Sequence, residues 1–279
     1  MRDVAIIGAG ELGGNLAHRL AARQIDGAIR LIEEVGRVAE GKALDIMQAA
    51  PVEGFAARVS GSTDLSAAGG AAIIAIADRW RGAEWQGEEA VQLLQRLNAL
   101  APRALIVCAG ANQRDLVESA ASDLHLARTR SVGSAAEAMT AAVRAIIALE
   151  CDASPQDVAV SVVGVPPAHT VVAWEDAAVG GFALARVLDE PARRRVGQRV
   201  AGLWPPGPHA LAAAATAVIE RMLGRSRHVV SCFVAPEGTG RRVRAAALPV
   251  RLGESGVEEV LMPPLSAAER TAFENATSL

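Results

Sequence analysis

The chain has 279 residues, a formal net charge of −3, a hydrophobic fraction of 51% and a charged fraction of 21%. That is enough chain for a core in two lobes, and it leaves no basic footprint for nucleic acid or an anionic membrane. Three cysteines, Cys108, Cys151 and Cys232, lie far apart in or beside apolar runs, which argues against a disulfide framework or a zinc site.

The first stretch organises the rest. Val4-Ala5-Ile6-Ile7 is an unbroken apolar run, the pattern of a strand covered on both faces. Gly8-Ala9-Gly10-Glu11-Leu12-Gly13 follows at once, and Leu12, Leu16, Ala17 and Leu20 then recur at helical spacing. A second apolar strand, Ala28–Ile32, ends at Glu33. This is G-x-G-x-x-G in a βαβ context, a dinucleotide-binding signature. Gly8 suits a tight turn, Gly10 lets a pyrophosphate approach the backbone, and Gly13 lets helix pack close to strand. The phosphates would sit on free N–H groups at the positive helix end, contacted around Glu11 and Leu12. A carboxylate at Glu33 would accept both ribose hydroxyls and repel a 2′-phosphate, so NAD is expected rather than NADP. The competing reading is a plain glycine turn with Glu33 as a solvated strand end.

Val38–Ala50 reads as a helix ended by Pro51, Ala57–Val59 as a short strand, Gly61-Ser62-Thr63-Asp64 as a turn and Ala71–Ala77 as a buried strand. A helix with Val91, Leu94, Leu97 and Leu100 on one side stops before Pro102. Ala104–Ala109 is another covered strand, Leu116–Leu126 a helix, and Ser131-Val132 a last short strand. The alternation predicts a Rossmann-like, doubly wound parallel sheet, α/β in class, over residues 1–132. From residue 133 to 279 the texture is that of an α+β domain. Ala135–Leu149, Glu190–Leu203 and Ala210–Leu223 read as helices, and Val158–Val163 as a strand entering Gly164-Val165-Pro166-Pro167. His228–Ala235 and Arg242–Val250 read as antiparallel strands joined by Pro236-Glu237-Gly238-Thr239-Gly240. Ser266–Ala276 is a closing helix with Ser266 as N-cap and Glu269 completing a capping box. No apolar run reaches membrane-spanning length and the first strand begins at once, so no membrane span, no signal peptide and a cytoplasmic location are expected.

These segments resemble the malate/lactate dehydrogenase family. GAGELGGNLAHRLA, IRLIEEVGRVAEGKALDIMQAAPV and GSTDLSAAGGAAIIAIA are similar to its cofactor half. TRSVGSA, VVAWEDAAVGGFAL and LPVRLGESGVEEVLMPPLSAAERTAF are similar to its substrate half. The resemblance runs nearly end to end. It implies NAD at Gly8, Gly10, Gly13 and Glu33, a small-molecule 2-hydroxy or 2-keto substrate, and a homo-oligomer. It also implies a histidine that exchanges the hydroxyl proton, an aspartate that orients it, and arginines that bind the substrate carboxylate and close a lid.

Position by position, that catalytic set is not found. Counting back from Val179-Gly180-Gly181, with Trp174 as a second anchor, the histidine position is Pro166; His169, three residues on, is the alternative. Counting forward from Gly133, the aspartate position is Met139 and the arginine position Ala142; Glu137 and Arg144 lie nearby without replacing them. The lid is shortened to Asp78-Arg79-Trp80-Arg81-Gly82-Ala83-Glu84-Trp85, with Arg79 or Arg81 as its only basic candidates. The family's asparagine falls at Ala111, or at Asn112 with Asp115 after a one-residue shift. General acid–base catalysis alone is worth roughly 10²–10⁴-fold, and an anionic substrate among Met139, Ala142, Pro166 and Pro167 would be desolvated without a partner.

Three functions follow as expectations. One is a catalytically degenerate pseudoenzyme that keeps NAD binding. Another is an active oxidoreductase on a less charged compound, for which His169, Glu175, Asp176, Arg79 and Arg81 would have to converge. The third is a partner-binding scaffold without cofactor, marked by a side chain or loop filling the groove above Gly8–Gly13.

Overall fold

In the computed structural model, residues 2–235 and 244–278 are described. The first half runs β1 (Val4–Ile7), α1 (Glu11–Ala22), β2 (Ala28–Ile32), α2 (Val38–Glu53), β3 (Arg58–Ser62), β4 (Ile73–Ile76), α3 (Gly87–Leu100), β5 (Leu105–Cys108), α4 (Arg114–Ser122) and β6 (Ser131–Gly133). Every residue of β1, β4 and β5 is buried. Crossover helices cover both faces of such a sheet, which is why these strands carry no polar alternation. The six strands are parallel and stand in the order β3-β2-β1-β4-β5-β6. This is the expected doubly wound architecture.

The second half runs α5 (Ala135–Cys151), β7 (Val158–Ala159), β8 (Val162–Val165), β9 (His169–Val172), β10 (Ala178–Val179), β11 (Phe182–Ala183), α6 (Leu184–Val187), α7 (Glu190–Val200), α8 (Pro208–Met222), β12 (Val230–Val234), β13 (Ala246–Gly253), β14 (Gly256–Val260) and α9 (Ala267–Ser278). The large sheet continues antiparallel from β6 into β12, β13, β8 and β9, with β14 also on β13. β7, β10 and β11 form a separate small sheet. The capping box is present: Ser266 N–H donates to Glu269 Oε2 at 2.7 Å and Glu269 N–H to Ser266 Oγ at 3.3 Å.

Several boundaries differ from expectation. Pro51 does not end α2, which runs on to Glu53 and closes at Gly54 (φ 75°). A proline in the last turn removes one N–H where few helical bonds remain to be lost. The expected turn at Gly61–Ser62 is the end of β3, and Asp64 instead caps a short 3₁₀ turn by accepting from Ser66 N–H. α4 ends at Ser122, four residues before Leu126. In α3 the buried stripe is Ala90, Leu93, Leu94 and Leu97, whereas Val91 is half-buried and Leu100 borders solvent. A strict three-residue count drifts around a 3.6-residue helix. Val158–Val163 is two strands, because the chain leaves the small sheet at Ala159 and joins the large one at Val162. β12 and β13 pair as a hairpin, Val230 with Val250 through Val234 with Ala246; the expected turn Pro236–Gly240, and Arg242 at the start of the expected second strand, lie outside the described residues.

Two apolar clusters carry the packing. The larger holds residues of β1, β2, β4, β5, β6, α1, α8, β12 and β13, and the smaller holds Met139, Val143, Ile147, Val162, Val172 and Val196. Trp204 packs against both and meets Phe233 edge-on, with ring centroids 6.0 Å apart. No described helix is long and apolar enough to cross a membrane.

Candidate functional site

Strand order places the site. In a doubly wound sheet, ligands lie beyond the carboxyl ends of the strands where the order reverses. Here that point is between β1 and β4, so Gly8, Glu33, Asp78 and Ala109 follow neighbouring strands β1, β2, β4 and β5.

The glycine loop has the geometry its residues demand. Gly8 adopts φ +101°, a region that disfavours side chains, and a Cβ on Gly13 would collide with the Gly8 carbonyl oxygen. A Cβ on Gly10 would meet the Asp78 carboxylate. That carboxylate sits on the start of α1: Gly13 N–H donates to Oδ1 at 2.9 Å and Leu12 N–H to Oδ2 at 3.2 Å, while Gly10 N–H donates to the Asp78 carbonyl at 2.9 Å. The first N–H groups of a helix lack internal partners and favour an anion. An internal carboxylate therefore stands where a phosphate was expected. Lys42 donates to the Gly10 carbonyl at 2.6 Å; burial lowers its pKa, opposed by the nearby charges of Asp78, Glu11 and Glu33.

Glu33 is buried and faces inward. Its Oε2 accepts from Ala9 N–H at 3.1 Å and from Trp80 N–H at 2.8 Å, and its Oε1 from Val35 N–H at 3.3 Å. The solvated-strand-end reading of Glu33 is thus corrected: a buried carboxylate must take donors, and three backbone N–H groups converge on it.

The segment Asp78–Trp85 folds back as a strap, with Asp78 bridged antiparallel to Glu84. Glu84 likewise takes two backbone donors, in the loop between β5 and α4, accepting from Ala111 N–H at 2.9 Å and Asn112 N–H at 2.7 Å. Lys42 and Arg81 lie 5.2 and 5.4 Å from the Trp80 ring centre, and Arg79 lies 4.4 Å from that of Trp85 and pairs with Glu89 at 2.7 Å. Asp78 and Glu84 were not singled out from sequence. The available signal was an acid directly after a buried strand at the sheet's carboxyl edge, with a second acid six residues on.

The other candidates are scattered. Met139 is fully buried in the smaller apolar cluster, Ala142 and Pro166 are half-buried, and Pro167 is exposed. His169 is exposed on β9, opposite Val165, and Glu175 and Asp176 are exposed in the turn that follows. Among the described residues, no hydrogen bond or ion pair joins His169, Glu175 or Asp176 to Arg79 or Arg81. Glu11 is exposed, and of the two asparagine-position candidates Asn112 is exposed while Ala111 is buried. Glu137, buried, accepts Ser231 N–H at 2.8 Å and pairs with Arg144 at 3.2 Å beside a cavity of about 560 Å³ shared with Thr140, Arg221 and His228. No three His, Cys, Asp or Glu side chains among the described residues are placed to hold a metal.

No family model matches the chain. It is similar to the malate dehydrogenase of Roseiflexus sp. (strain RS-1), 28% identical over 95% of this chain and 92% of that protein. It is equally similar to the malate dehydrogenase of Desulforudis audaxviator, 28% identical over 99% and 96%. Its fold matches the malate dehydrogenase of Salinibacter ruber (TM-score 0.88, 23% identity, 98% of this chain and 93% of that one). It also matches the lactate dehydrogenase of Cryptosporidium parvum complexed with lactic acid and NAD (TM-score 0.87, 22% identity, 99% and 94%). The similarity to malate dehydrogenases thus runs end to end, and the chain has the fold of the malate and lactate dehydrogenases.

Proposed function

We propose that this chain is an NAD(H)-binding, dehydrogenase-like protein that does not turn over malate or lactate. The observation that carries the cofactor is the start of α1, where Leu12 and Gly13 N–H groups already hold a carboxylate. Donors that seat an internal anion suit a pyrophosphate of the same charge sign and oxygen chemistry. Support for NAD also comes from the family and from the Cryptosporidium relative solved with it. Bound NAD would supply hydride chemistry; the loop Gly8–Gly13 would carry its pyrophosphate and Glu33, once released, its ribose. Inactivity rests on the side chains at the counted positions. Met139 lies in an apolar cluster, and neither it, Ala142 nor Pro166 has a group that could exchange a proton or bind a carboxylate.

Calorimetry with NADH, beside an assay of oxaloacetate and pyruvate reduction, tests both halves. Binding without turnover is expected. Brisk turnover overturns the claim of inactivity, and a flat titration to millimolar NADH, both in this chain and in a folded variant whose cradle is freed of the Asp78 carboxylate, overturns the cofactor assignment. The carboxylate in the cradle favours one second reading, a scaffold that has lost its cofactor, and that flat titration is the result it requires. A homo-oligomer belongs to the main reading: α2 leaves Leu44, Met47 and Val52 exposed at 60%, 37% and 88%, an apolar face that a second copy would cover. Light scattering at the chain's monomer mass would argue against it.

A further inference from the structure

We propose that the strap Asp78–Trp85 is an internal competitor for the cofactor, with the Asp78 carboxylate as its anchor in the pyrophosphate position; this rests on the NAD reading above. Three independent contacts hold it there. Asp78 accepts from the Leu12 and Gly13 N–H groups, Trp80 N–H donates to Glu33, and Glu84 accepts from the Ala111 and Asn112 N–H groups. The strap thus engages the α1 start, the acid at the end of β2 and the loop after β5, the three places around the switch point that a dinucleotide would use.

The reason is topological. Asp78 follows β4, which pairs directly with β1 in register Ile7 to Ile76, so the two loops leave the sheet side by side. A carboxylate there reaches the α1 donors within its own chain, at a high effective concentration. Swinging it aside while leaving the strap in place does not help. The charges of Asp78, Glu11 and Glu33 all act on Lys42, so an incoming pyrophosphate would meet three acids there. Binding therefore requires the strap to lift as a unit, which also frees Glu33 from Trp80. Apparent affinity then equals the affinity of the open cradle reduced by the fraction of molecules that are open.

The test is NADH titration of the full chain and its variants, read by calorimetry and by the fluorescence of Trp80 and Trp85, two of the four tryptophans. Asp78→Gly removes the anchor and should tighten NADH binding about tenfold or more, the equivalent of about 1.4 kcal/mol. Glu84→Gln loosens the far end without touching the cradle and should tighten it by a smaller factor. Thermal melts report whether each variant is folded, and Glu84→Gln decides if Asp78→Gly is not. NADH bound equally well or less well by folded variants than by the wild type overturns the competitor and leaves the cofactor reading standing. Folded wild type and variants that all ignore millimolar NADH overturn both.

Discussion

Glu33 and Trp80 are joined by a hydrogen bond of 2.8 Å from the Trp80 backbone N–H to Glu33 Oε2, and the same oxygen accepts the buried Ala9 N–H. An acid at the end of one strand thus ties the glycine loop of the next strand to the strap beyond a third. Glu33→Ala should destabilise the fold by about 1–3 kcal/mol, because the Ala9 N–H is left buried without an acceptor. Glu33→Gln, which retains a carbonyl oxygen, should lose less. Urea melts of both variants check the ordering, and an alanine no worse than glutamine would remove Glu33 from the set of structural acceptors.

The two inner glycines should respond differently to a methyl group. At Gly13 the new carbon meets the Gly8 carbonyl, which is backbone and cannot yield without shifting α1 from β1. At Gly10 it meets the Asp78 side chain. Gly13→Ala should therefore cost about 1–3 kcal/mol or more, as overpacking does. Gly10→Ala should cost nearer the net worth of the displaced hydrogen bonds, about 0.5–1.5 kcal/mol each. Equal melting temperatures for the two variants would contradict the geometry.

Glu137 fastens α5 to β12 by accepting Ser231 N–H, and it is a firmer tie than its ion pair with the partly exposed Arg144. Arg144→Ala should cost at most about 1 kcal/mol, the range of solvent-screened pairs. Glu137→Ala should cost about 1–3 kcal/mol, since it orphans a buried donor. Denaturant midpoints for the two variants test this, and a larger loss in Arg144→Ala would invert the assignment.

Burial pushes the Cys108 thiol from 9.0 up to about 12, with the Ser131 hydroxyl opposing it, and burial raises Cys232 as well, helped by the charge of Glu137. A folded-state pKa above the unfolded one adds stability that is fully present below about pH 9 and lost as pH rises towards 12. One such group contributes a slope of about 1.4 kcal/mol per pH unit inside that window. Stability measured by urea melts should fall from pH 8.5 to 10.5, and Cys108→Ala should fall less steeply. A parallel pair of curves would show that the thiol does not titrate on unfolding.

Reading residues in order reaches some features of this protein and stops short of others. Val4–Ile7, Ile73–Ile76 and Leu105–Cys108 are legible as covered strands because both faces of each are buried, so every residue is apolar. Ser266 and Glu269 are legible as a capping box because the motif is three residues long. The spacing of Gly8, Gly10 and Gly13 is equally local. What joins β12 and β13 to β6 is not, because antiparallel continuation of the sheet depends on chain returning from more than 90 residues away.

The sequence by itself determined the parallel αβ alternation, the glycine turn, the acid at its far end and the apolar residues at Met139, Ala142 and Pro166. Each is written in residues close along the chain or in a count from a fixed anchor. Only the tertiary structure decided what occupies the cradle. Asp78 and Gly13 are 65 residues apart and meet because β4 pairs beside β1, where unpaired helix N–H groups take the carboxylate within reach.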